Sequence, residues 1–357
     1  MTRVDDSIKI GKRIVKNRMT MAPTVKFDFA GEDGKVTEKH IQHYKERAGG
    51  GVGLICVEAT AVTPRGRFFK NHLGLWEDEQ IEGHKEIVNA CHDNDVVVLI
   101  QLNHTGITIN SEVGVPFGPS AVPTMSGAMS VEMTVDEMHE MQQKYVDAAI
   151  RAKEAGYDGI QLHGCHRYLI NQFVYENTNF RSDKYGGSVQ NRGRFASEII
   201  EKIRKECEED FIISVRTVGA DNSIEDSIAI AEEYVKAGCD YLQVSHGFVE
   251  SDPSLQKKTG PFTEICSMGV KIHDYFKGRV PVSCVNGILE PYLVKILIKN
   301  DFVDTVDLAR AVLADPRFPK AVLHDTPYVK CYTCKKCQYG PFAAHRCPAE
   351  IKRAHQK

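Results

Sequence analysis

The sequence predicts an α/β fold, a (β/α)₈ TIM barrel with an N-terminal hairpin and a short C-terminal cysteine-rich extension. Three observations carry this. Short apolar runs alternate eight times with amphipathic helical stretches, the rhythm of a parallel sheet with helical crossovers. Several of the runs are apolar throughout, as strands are when both faces of a sheet are covered. Polar side chains gather where nearly every run ends, the face on which such barrels carry their chemistry.

The elements follow in order. Residues 8–17 alternate apolar positions around Gly11-Lys12 and read as a hairpin that closes the barrel bottom. Arg18–Ala22 is the first strand, stopped by Pro23-Thr24, and a helix runs from Thr37 to Gly49. Strand two is Gly53–Glu58. The helix near 79–94 leads to strand three, Val96–Leu102, and then to a long Gly/Ser/Pro-rich loop, 105–130. A helix over 135–156 leads to strand four, Gly159–Leu162. Helices over 189–208, 223–238, 262–276 and 291–300 precede strands 211–216, 241–245, 280–285 and 303–308. A last helix begins near Arg310. The glycine cluster Gly49-Gly-Gly-Val-Gly53 precedes a strand, whereas a dinucleotide-binding turn would follow one. The expected division is a barrel over 1–325 and an extension over 326–357.

The 357 residues suffice for one large barrel, and 42% of them are hydrophobic. The 45 Lys and Arg against 48 Asp and Glu give a net charge of −3, so nucleic acid and anionic membrane surfaces are not expected partners. The N-terminus has no apolar core of a signal peptide, and no run approaches 18 apolar residues, so a cytoplasmic location is expected. Eleven cysteines without a secretion signal argue for reduced thiols rather than a disulfide framework.

The strand ends carry Pro23-Thr24, Glu58-Ala59, Gln101, His163, Arg216, Ser245-His246, Asn286-Gly287 and Ala309-Arg310. Barrels commonly bind phosphate after strands seven and eight. There Gly287 allows close backbone approach and Arg310 offers a forked cation. Strand four ends in His163-Gly-Cys-His166-Arg167-Tyr168, two imidazoles and a phenol within one turn. The polar loop Arg181-Ser-Asp-Lys-Tyr-Gly-Gly-Ser-Val-Gln-Asn-Arg192 follows before the next helix.

These two segments together resemble the old yellow enzyme family of flavin-dependent ene-reductases. The resemblance runs from about residue 8 to 320. Ala309-Arg-Ala-Val-Leu-Ala-Asp-Pro316 is most similar to the subgroup of NADH:flavin oxidoreductases that includes 2,4-dienoyl-CoA reductase. It implies FMN held by Pro23, Thr24, Ala59, Gln101, His163, Arg216, Gly287, Ala309 and Arg310, with NADH or NADPH as hydride donor. It implies that His163 and His166 bind the carbonyl oxygen of an unsaturated carbonyl substrate or enoyl thioester, and that Tyr168 gives the α-carbon its proton. His246 is a second donor candidate. Arg167 departs from the family pattern, which has glycine. One expectation is an acidic substrate or a coenzyme A thioester, the other a side chain turned into solvent. A flavin-dependent amine dehydrogenase of the trimethylamine dehydrogenase type and a non-enzymatic redox sensor are the competing readings.

Cys331, Cys334, Cys337 and Cys347 lie within seventeen residues of one another. Four thiols so spaced, in a chain read as reduced, point to a metal site, Cys₄ zinc or iron–sulfur. The 2,4-dienoyl-CoA reductase resemblance favours a [4Fe-4S] cluster, although the gaps here are shorter. The same resemblance leaves room for a separate electron-donor reductase, and a homo-oligomer is expected.

Overall fold

The computed structural model describes residues 2–109, 112–248, 258–335, 337 and 347–355. Its centre is a closed barrel of eight parallel strands. They are β1 (Met19–Met21), β2 (Leu54–Ala61), β3 (Val97–Asn103), β4 (Gly159–His163), β5 (Ile212–Val218), β6 (Tyr241–Ser245), β7 (Val282–Cys284) and β8 (Thr305–Leu308). Each strand pairs with the next in sequence, and β8 closes on β1 through Val306 beside Met19. Outside lie α1 (Glu38–Ala48), α2 (Ile81–His92), α3 (Val135–Glu154), α4 (Val189–Glu206), α5 (Ile224–Lys236), α6 (Glu264–Phe276), α7 (Pro291–Lys299) and α8 (Arg310–Ala314). The expected barrel is therefore the observed one.

Local chemistry sets the helix starts. Thr134 and Glu137 cap α3 reciprocally, each side chain accepting the other's backbone N–H, at 3.2 and 2.8 Å. Ser188, Ser223 and Thr263 accept from the third residue ahead and open α4, α5 and α6. Pro291 stands in the first turn of α7, where its missing N–H is no loss. The N-terminal hairpin, Ile8–Ile10 against Arg13–Val15, seals the barrel bottom. Its Ile8, Ile10 and Val15 cluster with Leu54, Leu99, Ile212 and Tyr241 from four strand starts.

Several boundaries differ from the sequence reading. Strand two runs on to Ala61, and its register against β3 slips between Val57 and Ala59. Such a bulge re-aims a side chain. Glu58 is consequently buried beneath α1, accepting from the Lys26 backbone N–H and the Tyr44 hydroxyl rather than facing the barrel mouth. β5 extends to Val218, so Arg216 lies inside its strand. Three short helices were not expected: Leu169–Val174, Phe318–His324 and Pro348–Ala354. Each is too brief for a helical period to register. Among the described residues, no helix is long and apolar enough to cross a membrane.

β4 passes close to β5 at Gly159, opposite Ile212. A methyl group there would stand 2.2 Å from the Ile212 carbonyl oxygen. Gly159→Ala should therefore destabilise the barrel by about 1–3 kcal/mol, the usual cost of overpacking. A lowered thermal midpoint with native far-UV circular dichroism is expected; an unchanged midpoint would mean that the strands separate without cost.

Candidate active site

The C-terminal mouth of the barrel holds two adjoining cavities. The larger, about 640 Å³, lies over β5–β8 and is bordered by Pro23, Arg216, Asn286, Gly287, Asp307, Ala309 and Arg310. Its size falls in the cofactor range. The smaller, about 360 Å³, is bordered by Phe68, Thr108, Met125, Arg167 and Tyr168. His166 and His246 border both. They stand where the two meet, with ring centroids 4.6 Å apart.

The chain brings the two rings together by a reversal after β4. His166 and Arg167 both take left-handed backbone conformations, with φ of +58° and +66°. The helix Leu169–Val174 then begins, with Tyr168 just before its first turn. The His166 N–H donates to the His246 carbonyl at 3.1 Å, which ties this turn to the end of β6. His166 Nε2 lies 2.9 Å from Ser245 Oγ, and its Nδ1 lies 3.0 Å from His163 Nε2. The His163 ring meets Tyr168 edge-on at 4.7 Å. Burial first, and then the Arg216 guanidinium, hold both imidazoles well below the ordinary histidine value. They are thus neutral at pH 7, each with one N–H to donate.

Opposite them Arg216 reaches towards the Pro23 carbonyl at 3.5 Å and Ser245 Oγ at 3.4 Å. Its Nε is buried without a partner, as are His163 Nδ1 and Asn286 Oδ1. Buried polar atoms of this kind are normally satisfied, so their grouping here marks a site shaped for a polar ligand. Gly287 has φ +74°, and a Cβ on it would strike Thr263 at 2.7 Å. The backbone beside Arg310 can take that path only with glycine. Among the described residues the Arg310 side chain, at the first position of α8, makes no hydrogen bond or ion pair.

The residues expected to hold the cofactor separate into two sets. Pro23, Arg216, Gly287, Ala309 and Arg310 border the larger cavity, and His166 joins them. Thr24 Oγ1 donates to the Ala22 carbonyl. The Ala59 carbonyl lies 2.6 Å from His72 Nε2, and Gln101 donates to Gln161 Oε1 at 2.8 Å. His163 stands behind His166 rather than on a cavity border. Ser245 and Asn286, strand-end residues given no role from the sequence, also border the larger cavity, as does Asp307, which was not expected. The strand-end pattern flags the first two, whereas Asp307 lies one residue before the β8 end. Phe68 and Met125, on loops, carry no sequence signal.

Among the described residues, no three of the four C-terminal cysteines bring their sulfurs within 4.8 Å of one another. Cys331 and Cys347 pack on one small cluster with Ala314, Val329 and Ala349. Cys334 is exposed, and Cys337 borders the larger cavity together with Lys335. The connecting residues 338–346 lie outside the described chain.

The family model described as NADH:flavin oxidoreductase / NADH oxidase matches residues 6–328. The chain belongs to this family. The NADH oxidase of Thermoanaerobacter brockii is 37% identical, over 91% of this chain and 52% of its own length. The NADPH dehydrogenase of Bacillus subtilis is 35% identical, over 88% of this chain and 92% of its own. The structure of the old yellow enzyme homologue from Zymomonas mobilis superposes with a TM-score of 0.80 at 27% identity, covering 93% and 95% of the two chains. The chain thus spans about half of the first relative and nearly all of the other two. The old yellow enzyme resemblance, the barrel and the oxidoreductase class expected from the sequence are all borne out.

One group in this family site has a pH signature. Burial raises the Asp307 carboxyl from 3.8 to about 6, with Thr20 and Arg216 opposing the shift. Because the folded value is the higher, the acid form favours the folded state. That contribution is complete below 3.8 and lost as pH rises through about 6. Asp307→Asn should remove it. The variant's thermal midpoint relative to the parent should rise between about pH 4 and 6 and then level, a change on the order of 2–3 kcal/mol. A pH-independent difference would mean that Asp307 is ionised throughout.

Proposed function

We propose that this chain binds FMN in the larger cavity and reduces the C=C bond of an α,β-unsaturated carbonyl compound in the smaller one. Electrons come from NADH or NADPH, directly or through a separate reductase. The carrying observation is that the two cavities meet at His166 and His246, which line both. This sets a cofactor-sized cavity with spare cations against a recess that holds a phenol. Arg310 and Lys335 suit a phosphate, and the spare N–H of Arg216 suits an electron-rich ring edge. Bound FMN would supply the hydride carrier between the nicotinamide and the alkene β-carbon.

The chain's own residues do the rest. Neutral His166 donates to the carbonyl oxygen in place of its Ser245 contact and stabilises the negative charge that gathers there, the role of an oxyanion hole, while neutral His163 holds its ring from behind. Tyr168 delivers its phenolic proton to the α-carbon. Phe68, whose ring lies 6.4 Å from Tyr168, helps to exclude water. The trimethylamine dehydrogenase-type reading is disfavoured, because Arg167 in the recess would repel an ammonium substrate.

Tyr168→Phe tests the assignment. Reduction of the bound flavin by NAD(P)H should be nearly intact, while its reoxidation by cyclohexenone should slow about 10²–10⁴-fold, the usual loss for a general acid. Stopped-flow traces of the two steps, on fully loaded protein, separate them. Equal slowing of both would end the proton-donor role and shift it to His246.

The same reading assigns Cys331, Cys334, Cys337 and Cys347 to a [4Fe-4S] cluster, with zinc as the alternative. The packing of Cys331 and Cys347 against the same small cluster, which brings two of the four thiols to one place, supports it. Anaerobically purified protein should contain about four iron atoms per chain by elemental analysis. One zinc and no iron would make the site structural; neither metal would dismiss it.

A further inference from the structure

Arg167 stands where the family pattern has glycine, and the structure shows what the substitution entails. At φ +66° a side chain is strained where glycine would not be. The strain is held by a built frame. The Arg167 N–H donates to Asn171 Oδ1 at 2.8 Å, and its carbonyl accepts from Thr108 Oγ1 at 2.7 Å and Gln172 Nε2 at 2.5 Å. Asn171 in turn donates to Asp221, and Asp221 accepts the Phe248 N–H, both at 2.7 Å.

This frame aims the guanidinium. Nη2 donates to the Phe248 carbonyl at 3.0 Å, and the group lies 5.8 Å from the Phe248 ring centre. Phe248 is itself stacked on Tyr175, centroids 4.4 Å apart. Arg167 Nε is buried without a partner. Among the described residues no carboxylate pairs with Arg167. The side chain is therefore not turned into solvent. It borders the same recess as Tyr168 and His166, and also the neighbouring one lined by Val122, Thr124 and Phe180. A strained, pre-aimed cation with N–H groups to spare, beside the proton donor, is a binding group without its anion.

We propose that Arg167 selects alkenes bearing a carboxylate, and binds that carboxylate in the recess it shares with Tyr168. The inference rests on the alkene-reductase reading for its chemistry, not for its binding. The recess of about 360 Å³ suits a small keto acid better than the long pantetheine arm that separates an acyl-CoA thioester from its phosphates. The ketone would take His166 and the carboxylate the guanidinium. Two anchors of that kind fix which face and which end of the alkene is presented.

Two measurements test this on the flavin-loaded protein. The first is binding of an unreactive pair, 3-oxocyclohexane-1-carboxylate and its methyl ester, followed by flavin absorbance. The acid should bind at least about 10-fold more tightly than the ester, as expected for one charge-assisted contact. Arg167→Gly, which restores the relaxed backbone, should collapse that preference, and Arg167→Lys should keep part of it. The second is turnover of the corresponding cyclohexenone acid and ester, for which the ratio of kcat/KM should fall about 10–100-fold in Arg167→Gly. Equal binding of acid and ester by the parent, or a preference that survives Arg167→Gly, would overturn the proposal. Acid-selective binding that Arg167→Gly abolishes, with neither alkene reduced, would uphold the carboxylate site and sink the alkene-reductase reading instead. Selectivity for crotonyl-CoA over both acids would overturn it in favour of a coenzyme A phosphate.

Discussion

The structure depends on a belt of hydrogen bonds inside the barrel, directly beneath the cavities. Gln161 of β4 accepts from Gln101 of β3 and donates to Gln243 of β6 and Ser214 of β5. Gln243 donates onward to Asp307 of β8, which also accepts from Thr20 of β1 and Ser283 of β7. The Cys56 thiol of β2 points to Gln161 at 3.6 Å. One layer thus touches all eight strands. A barrel interior is usually filled by branched apolar side chains. A polar layer is tolerable only when its members are satisfied, and it then specifies one register far more sharply than apolar packing does. The register in turn fixes which residues stand one step higher. His163, Arg216 and Ser245 all do, and they make the mouth of the site.

That dependence explains how much could be read from the chain. The β/α rhythm and the strand ends are local signals, so the barrel, the hairpin and the positions of Pro23, Gly287 and Arg310 were legible. Gln101 shows the limit. A polar strand end looks the same whether it faces a ligand, a cross-strand partner or both, and nothing local reveals that the Gln101 amide reaches Gln161, sixty residues on. Glu58 was misleading for a related reason: a one-residue bulge, invisible to periodicity, turned it to the outside of the barrel. His246 could be named only as a second donor candidate, because nothing local to it reveals that its ring lies 4.6 Å from that of His166, tilted by 48°.

The histidine pair illustrates how burial prepares a site. Two imidazoles within hydrogen-bonding distance, with a guanidinium nearby, would repel each other if charged. Desolvation and Arg216 both push towards the neutral form, so the pair keeps one N–H each and no net charge. A neutral donor stabilises a developing oxyanion without having to hold a permanent counter-ion in the ground state, which is where differential binding arises. The same Arg216 lies above Asp307 and tempers its raised value. The acid below and the bases above are therefore tuned by one cation.

Charge at the mouth points the same way. Arg216, Arg310 and Lys335 border the larger cavity, and Asp307 is the one carboxylate among its lining residues. Arg167 adds a further cation in the smaller cavity, beyond the histidine pair. In a partly desolvated cleft such an excess attracts anions much more strongly than it would on an open surface. The larger cavity spends this excess on a phosphate and an electron-rich ring in the reading advanced above. The smaller one has no such resident. A cation held there under backbone strain, with a buried N–H unpaired, is costly unless a passing ligand neutralises it. The position of Arg167 thus bears on substrate choice rather than on the fold, since glycine would serve the fold better.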